Sequence, residues 1–216
     1  MSSTLTEQPS ACPPHNVTEC NEGYPTSDDD ARSLAAQLKA AAVRLCGAGW
    51  PILPVSYPTA DRLVSGRCPP DEDAAADWWS DQPYGIACRT GELFDALQVP
   101  SWLGRMLLPA VEHYATVVEV ATAVETAWLF LVTPNSPGIP DLPRDIGIRL
   151  RGAGDWILVP PTPTLGGTSR WVARPPEQRL AEQRLPHSLT LQWSVVRAVS
   201  SARRLMAEAR RPRGQG

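Results

Sequence analysis

The run Asp145-Ile146-Gly147-Ile148-Arg149-Leu150-Arg151-Gly152-Ala153-Gly154-Asp155-Trp156-Ile157-Leu158-Val159-Pro160-Pro161-Thr162, resumed after Gly166-Gly167 by Thr168-Ser169-Arg170-Trp171, decides the fold. Ile146, Ile148 and Leu150 alternate with Gly147, Arg149 and Arg151, the two-residue period of a half-buried strand. Gly152-Ala153-Gly154-Asp155 supplies residues suited to positive φ, so a tight turn is predicted there. Trp156 to Val159 is then the returning strand of a hairpin, ended by Pro160-Pro161 because proline cannot donate to a ladder. Gly166-Gly167 turns the chain toward a third short strand near Arg170-Trp171.

Working outward, the rest of the chain supplies material for more short elements. The 216 residues suffice for one large domain or a domain with tails, and 43% hydrophobic content can build a core. The 23 prolines and 15 glycines break the chain too often for a helical bundle. Segment 1–26 is poor in large apolar residues and is expected to be a disordered acidic tail. Ser27-Asp28-Asp29-Asp30 caps a helix whose Leu34, Leu38, Ala41, Ala42 and Leu45 share a face, and Gly47 and Gly49 stop it. Trp50 to Val55 reads as a first strand whose prolines suggest an edge or a strand entrance. Asp71-Glu72-Asp73 caps a helix ending in Trp78-Trp79-Ser80, with one tryptophan expected in the core and the other covering a groove edge.

Strands are predicted over Gly85 to Cys88, Phe94 to Pro100, Ala115 to Val120 and Ala127 to Val132. A helix capped by Ser101 follows the second of these, and Pro175 to Leu180 and Leu189 to Ala209 are predicted as helices after the last strand. The expected organisation is a tail over 1–26, an α+β domain over 27–174, a helical extension over 175–211 and a disordered end over 212–216.

Charge and cysteine usage exclude several classes. A net charge of −3 gives no global case for nucleic-acid binding. The charges are nevertheless segregated: residues 1–31 hold carboxylates and no Lys or Arg, whereas Arg197 to Arg213 is nearly all basic. Lys39 is the only lysine, a bias that fits codon usage in a GC-rich genome. The cysteines Cys12, Cys20, Cys46, Cys68 and Cys88 are odd in number and irregular in spacing, as for reduced thiols in a cytosol. Cys12, His15 and Cys20 lack a second pair at zinc-finger spacing. The sequon at Asn16-Val17-Thr18 has no signal peptide before it, and no apolar run reaches the roughly 18 residues of a membrane span. A cytoplasmic protein without membrane contact is expected.

Two stretches together point to a family. Ala48-Gly49-Trp50-Pro51-Ile52-Leu53-Pro54 after a helix, then a Trp-Trp helix, then Gly85-Ile86-Ala87 with Thr90-Gly91, then Arg151-Gly152-Ala153-Gly154-Asp155-Trp156-Ile157-Leu158-Val159-Pro160-Pro161, is an order that resembles the N-terminal bifunctional DNA primase/polymerase domain of the archaeo-eukaryotic primase superfamily. The resemblance spans Leu34 to Trp171. It implies an α+β, primase-polymerase-like (RRM-like) sheet of mostly antiparallel short strands flanked by helices, here with a C-terminal helix. It also implies a role in DNA replication.

The chemistry that the resemblance implies is nucleotidyl transfer on divalent metal, Mg or Mn, held by an Asp-x-Asp pair and a third Asp. Counted from Thr90-Gly91, the pair falls on Pro100 and Trp102, and Arg149 stands where the third Asp belongs. A phosphate-contacting His falls on Trp128. Asp95, Glu119, Glu125, Asp145 and Asp155 lie too far along the chain, or on other strands, to replace them. At about 3.3 Å per residue, Asp145 is roughly 13 Å from Arg149. No catalytic residue and no metal ligand is therefore assigned.

Three functions stay open at this point. The first is a degenerate primase/polymerase-like domain without transferase activity, kept for binding nucleic acid, nucleotide or protein, with a replication protein as a possible partner in trans. The second is an active enzyme with displaced metal ligands, and the third a protein-interaction module unrelated to nucleic acid. Candidate binding residues are Arg89, Thr90, Gly91, Arg149 and Arg151, against the plainer alternatives of a structural turn and solvated strand arginines. Arg197, Arg203, Arg204, Arg210, Arg211 and Arg213 could track phosphates or simply complement a helix end. His15, His113 and His187 support no Cys-His or Ser-His nucleophile, and no P-loop occurs.

Overall fold

The computed structural model describes residues 27–111, 115–135, 146–175 and 180–209. The tail with Cys12, His15 and Cys20, together with His113, Asp145, Arg210, Arg211, Arg213 and segment 212–216, lies outside them.

The helices begin where capping chemistry places them. In α1 (Asp28–Gly47) the Ser27 hydroxyl accepts from the Asp30 N–H, and three aspartates face the positive end of the helix dipole. Leu38, Ala41, Ala42 and Leu45 form its buried face. In α2 (Glu72–Asp81) the Asp71 carboxylate accepts from the Ala74 N–H at 2.8 Å. Trp79 enters the core and its Nε1 donates to the Tyr84 carbonyl, while Trp78 stays at the core edge.

Two principal sheets carry the fold. One has three antiparallel strands in the order β1 (Ile52–Val55), β2 (Gly85–Arg89), β7 (Trp156–Leu158). The other has five, in the order β10 (Arg170–Ala173), β4 (Val117–Ala121), β5 (Thr126–Val132), β3 (Asp95–Pro100), β6 (Arg149–Arg151), also antiparallel. A short β8 (Pro163–Thr164) and β9 (Gly167–Thr168) hairpin links β7 to β10. Helix α3 (Ser101–Val111) follows β3, and α4 (Ser188–Ala209) ends the described chain. The architecture is α+β, as expected. The helix predicted over Pro175 to Leu180 is replaced, among described residues, by a single 3-10 turn at Leu180–Glu182, with 176–179 outside them.

The predicted hairpin around Gly152-Ala153-Gly154-Asp155 requires correction. The turn is there, but β6 pairs with β3 and β7 pairs with β2, so the two strands diverge into different sheets. The preceding strand is also shorter than the alternation suggested, since Ile146 and Gly147 lie in a turn and pairing starts at Arg149. Alternation reports which face is buried and says nothing about the partner strand. The partners are set by a second crossing, Thr90-Gly91, which carries β2 into β3.

The two crossings dock on one another. The buried Thr90 hydroxyl donates to the Gly152 carbonyl at 2.6 Å, and the Thr90 N–H donates to the Asp155 carbonyl at 3.1 Å. Gly91 sits at φ +100°, and a Cβ there would lie 2.3 Å from the Ala153 Cα. Beyond the turn, Pro160-Pro161 ends β7, and the Thr162 side chain both accepts from the Ile86 N–H and donates to the Ile86 carbonyl.

Each face of the five-stranded sheet has its own core. Ala96, Val118, Leu129 and Leu131 face α1, α2 and the Ile52, Ile86, Cys88 and Ile157 side of the three-stranded sheet, around Trp50 and Phe94. Leu97, Val99, Trp128, Phe130 and Val132 face the other way, onto Leu103 and Leu107 of α3 and Leu191 and Val195 of α4.

The docked crossings make a stability prediction. Gly154 sits at φ +88°, and a Cβ added there would meet nothing within 4 Å, so Gly154→Ala should cost only the left-handed penalty, about 1 to 2 kcal/mol. Gly91→Ala adds a backbone collision to that penalty and should lower the urea midpoint clearly further. Equal losses for the two variants would show that the crossings do not depend on their contact.

Candidate functional site

Residues that face each other across an antiparallel ladder project to the same side, so the register assigns every strand residue to a face. Gln98 stands opposite Arg149 on β6 and opposite Leu129 on β5. Pro100 stands opposite Ala127. Past the fully covered Ala96 and Leu131, the α1 side of the sheet therefore ends in a patch of half-buried Gln98 and Pro100, buried Ala127 and exposed Arg149, with Arg151 opposite Ala96.

Two expectations change on this geometry. Trp102 is not on the sheet at all but in the first turn of α3, 40% exposed. The residue of β3 that shares the face at the spacing of two from Pro100 is Gln98. Trp128 belongs to the opposite face, where it packs against Gly104 of α3, and the β5 residue facing Pro100 is Ala127. Thus Pro100 and Arg149 share a face and Trp128 does not join them. Gln98 and Ala127 were missed by counting along the chain. The signal for Gln98 was its being the one polar residue between Ala96 and Pro100 in an apolar strand.

The polar groups of the patch have a defined order. Gln98 Oε1 accepts from Arg151 Nε at 3.1 Å and from an Arg151 terminal nitrogen at 3.0 Å. Arg151 in turn lies 3.7 Å from the Asp155 carboxylate in the crossing. Arg149 is exposed, and no described residue holds its guanidinium through a hydrogen bond or ion pair.

The metal implied by the sequence resemblance does not fit this donor set. Magnesium and manganese take carboxylate, carbonyl and water oxygens, whereas the patch offers an arginine, a proline, an alanine and an amide oxygen already occupied by Arg151. Among the described residues, no group of three or more His, Cys, Asp or Glu stands together as a metal site. Asp95 is the first residue of β3, buried and on the other face with Leu97. Asp155 is in the crossing and Glu125 precedes β5 in a turn closed onto Thr122.

Glu119 stands opposite Trp128, on the α3 side, and its carboxylate is engaged there. Its Oε2 accepts from Trp128 Nε1 at 2.7 Å, and its Oε1 pairs with Arg170 Nε at 2.6 Å. The Arg170 hydrogen bond first, then that of Trp128 and the charges of Arg170 and Arg105, hold its pKa below the usual carboxylate range against the opposing effect of burial. Trp128 is thus a structural donor on the α3 side.

Among the other candidates, Thr90 and Gly91 are withdrawn as ligand groups. Thr90 is buried with its hydroxyl and N–H both donated to the facing crossing, and the Gly91 N–H donates to the Phe94 carbonyl. Arg89 donates to the Gly66 carbonyl and lies 3.8 Å from Glu92, so it ties down the loop after β1. Cys46, Cys68 and Cys88 are free thiols whose pKa values are raised, by burial first, which disfavours the nucleophilic thiolate. His187 accepts from the Leu189 N–H at the start of α4.

Comparison with known proteins adds one finding. A family model described as bifunctional DNA primase/polymerase, N-terminal, matches residues 42–187, about two thirds of the chain and every strand of both sheets. No curated protein matches the chain.

The Glu119 network has a pH signature. A depressed carboxylate pKa contributes stability that is present above the ordinary glutamate value, about 4.3, and is lost as pH falls through the lower folded value. Urea midpoints measured from pH 6 down to about pH 3 should fall more steeply for the native protein than for Glu119→Gln, and parallel curves would exclude the linkage.

Proposed function

The chain belongs to the bifunctional DNA primase/polymerase N-terminal family, and we propose that within it this protein is a catalytically silent member that binds nucleic-acid phosphates. The observation that carries this reading is the composition of one sheet face: Gln98, Pro100, Ala127 and Arg149, with no carboxylate among them. Metal-assisted phosphoryl transfer needs a cation that clamps both the attacking and the leaving oxygen. Arg149 puts a permanent positive charge where that cation would sit, and repulsion between the two disfavours metal at any pH at which the protein is folded. The same charge attracts phosphate.

Under this reading the protein contributes grip on a strand or nucleotide, and polymerisation comes from a partner protein in trans. Among the described residues no helix is long and apolar enough to cross a membrane.

The test is primer synthesis and extension on a single-stranded template with Mg or with Mn. No product above the protein-free blank is expected, and robust synthesis by purified protein would overturn the silent assignment. Filter binding of a single-stranded oligonucleotide across a salt series reads the binding half. Affinity should fall steeply as salt rises, by about 0.7 in log K per log salt for each phosphate contacted. Absence of binding at low salt would leave a protein partner as the better reading.

A further inference from the structure

We infer that the patch on β3 and β6 has reversed polarity: it binds a phosphate group directly, through Arg149 and the Gln98 amide, without a metal ion. The inference rests on the family reading above and specifies how the ligand is held.

The reversal follows from how Gln98 is oriented. Arginine has only donors, so the amide atom that meets both Arg151 nitrogens, at 3.1 and 3.0 Å, must be the oxygen. The Gln98 Nε2 with its two hydrogens is thereby turned away from Arg151. Another nitrogen of the same guanidinium lies 3.7 Å from the Asp155 carboxylate, so Arg151 stands between Gln98 and Asp155. Asp155 is itself fixed in the crossing, where its carbonyl accepts the Thr90 N–H. The two hydrogen bonds from Arg151 thus favour one amide orientation.

Arg149 adjoins this amide in direct register and is exposed, with no described residue occupying its guanidinium. Pro100 contributes no N–H and Ala127 no polar side-chain atom, so among the described residues of the patch Arg149 and Gln98 set the character of this end of the face. What they offer a ligand is donors only. A phosphate oxygen is the matching acceptor, and the planar guanidinium can meet two of them at once. A hydrated divalent cation meets only like charge there.

The sign of the metal effect is the distinguishing consequence. At a carboxylate site Mg²⁺ bridges protein and phosphate and is required for binding. At a donor-only site Mg²⁺ competes with the protein for the same phosphate oxygens and weakens binding. Two sources of phosphate, a nucleoside triphosphate and a single-stranded DNA, share this chemistry.

The experiment measures binding of dATP by titration calorimetry and of a labelled oligothymidylate by anisotropy, each in EDTA and in MgCl₂. For at least one probe, binding in EDTA should be as tight as in MgCl₂ or tighter, and the probe that binds identifies the source. Arg149→Ala should weaken that binding by about tenfold or more, the scale of a charge-assisted contact, with the thermal midpoint unchanged because the side chain is exposed. Arg149→Lys should recover only part of the loss, since a point charge replaces the two-pronged donor. Binding that requires MgCl₂, an unchanged Kd in Arg149→Ala, or no binding of either probe in EDTA would overturn the inference. A Mg-requiring complex without primer synthesis discards the reversed polarity and keeps the silent assignment, whereas synthesis discards the assignment itself.

Discussion

The contact between Thr90-Gly91 and Gly152-Ala153-Gly154-Asp155 holds this fold in register. Two sheets that share a core must exchange chain somewhere, and here two of the three exchanges, all but the passage from β7 to β10 through β8 and β9, occur at one place. One carries β2 into β3 and the other carries β6 into β7, and each satisfies the other's polar backbone groups through Thr90. Buried backbone groups in such crossings would otherwise lack the partners that a ladder supplies. A side chain at position 91 has no room, because the facing Ala153 backbone occupies its place.

This constraint reaches the sheet face through Asp155 and Arg151. Arg151 stands between Asp155 of the crossing and Gln98, and its two hydrogen bonds favour one orientation of the Gln98 amide. The architecture and the chemistry of the patch are therefore linked by three side chains. The opposite face is organised differently. There Trp128 fills the space over Gly104 and gives its indole N–H to Glu119, which Arg170 neutralises. A large aromatic on this face tightens packing against α3 and leaves the α1 side untouched.

Sequence reading located most elements because their signals are local. Ser27 and Asp71 cap helices by accepting N–H groups three residues on, and Pro160-Pro161 ends a strand by withholding donors. The Arg149 assignment rests on the same kind of signal, a short motif between fixed neighbours, and Arg149 stands on the sheet face that Gln98 and Pro100 share. The assignments of Trp102 and Trp128 drew on counting across a loop and a helix. An error of one residue moves a side chain to the other face of a strand, and two residues past Pro100 the chain is already helical.

The amino-acid sequence by itself determined the class, the family, and the caps and stops of the helices, since each depends on a residue and its near neighbours. Only the tertiary structure decided that Gly152 to Asp155 is a crossing between sheets, that Gln98 and Ala127 complete the patch, and that Thr90 is spent inside the fold. Pairing partners and faces come from contacts between segments some 60 residues apart, such as Thr90 with Gly152, and alternation along one strand carries no record of them.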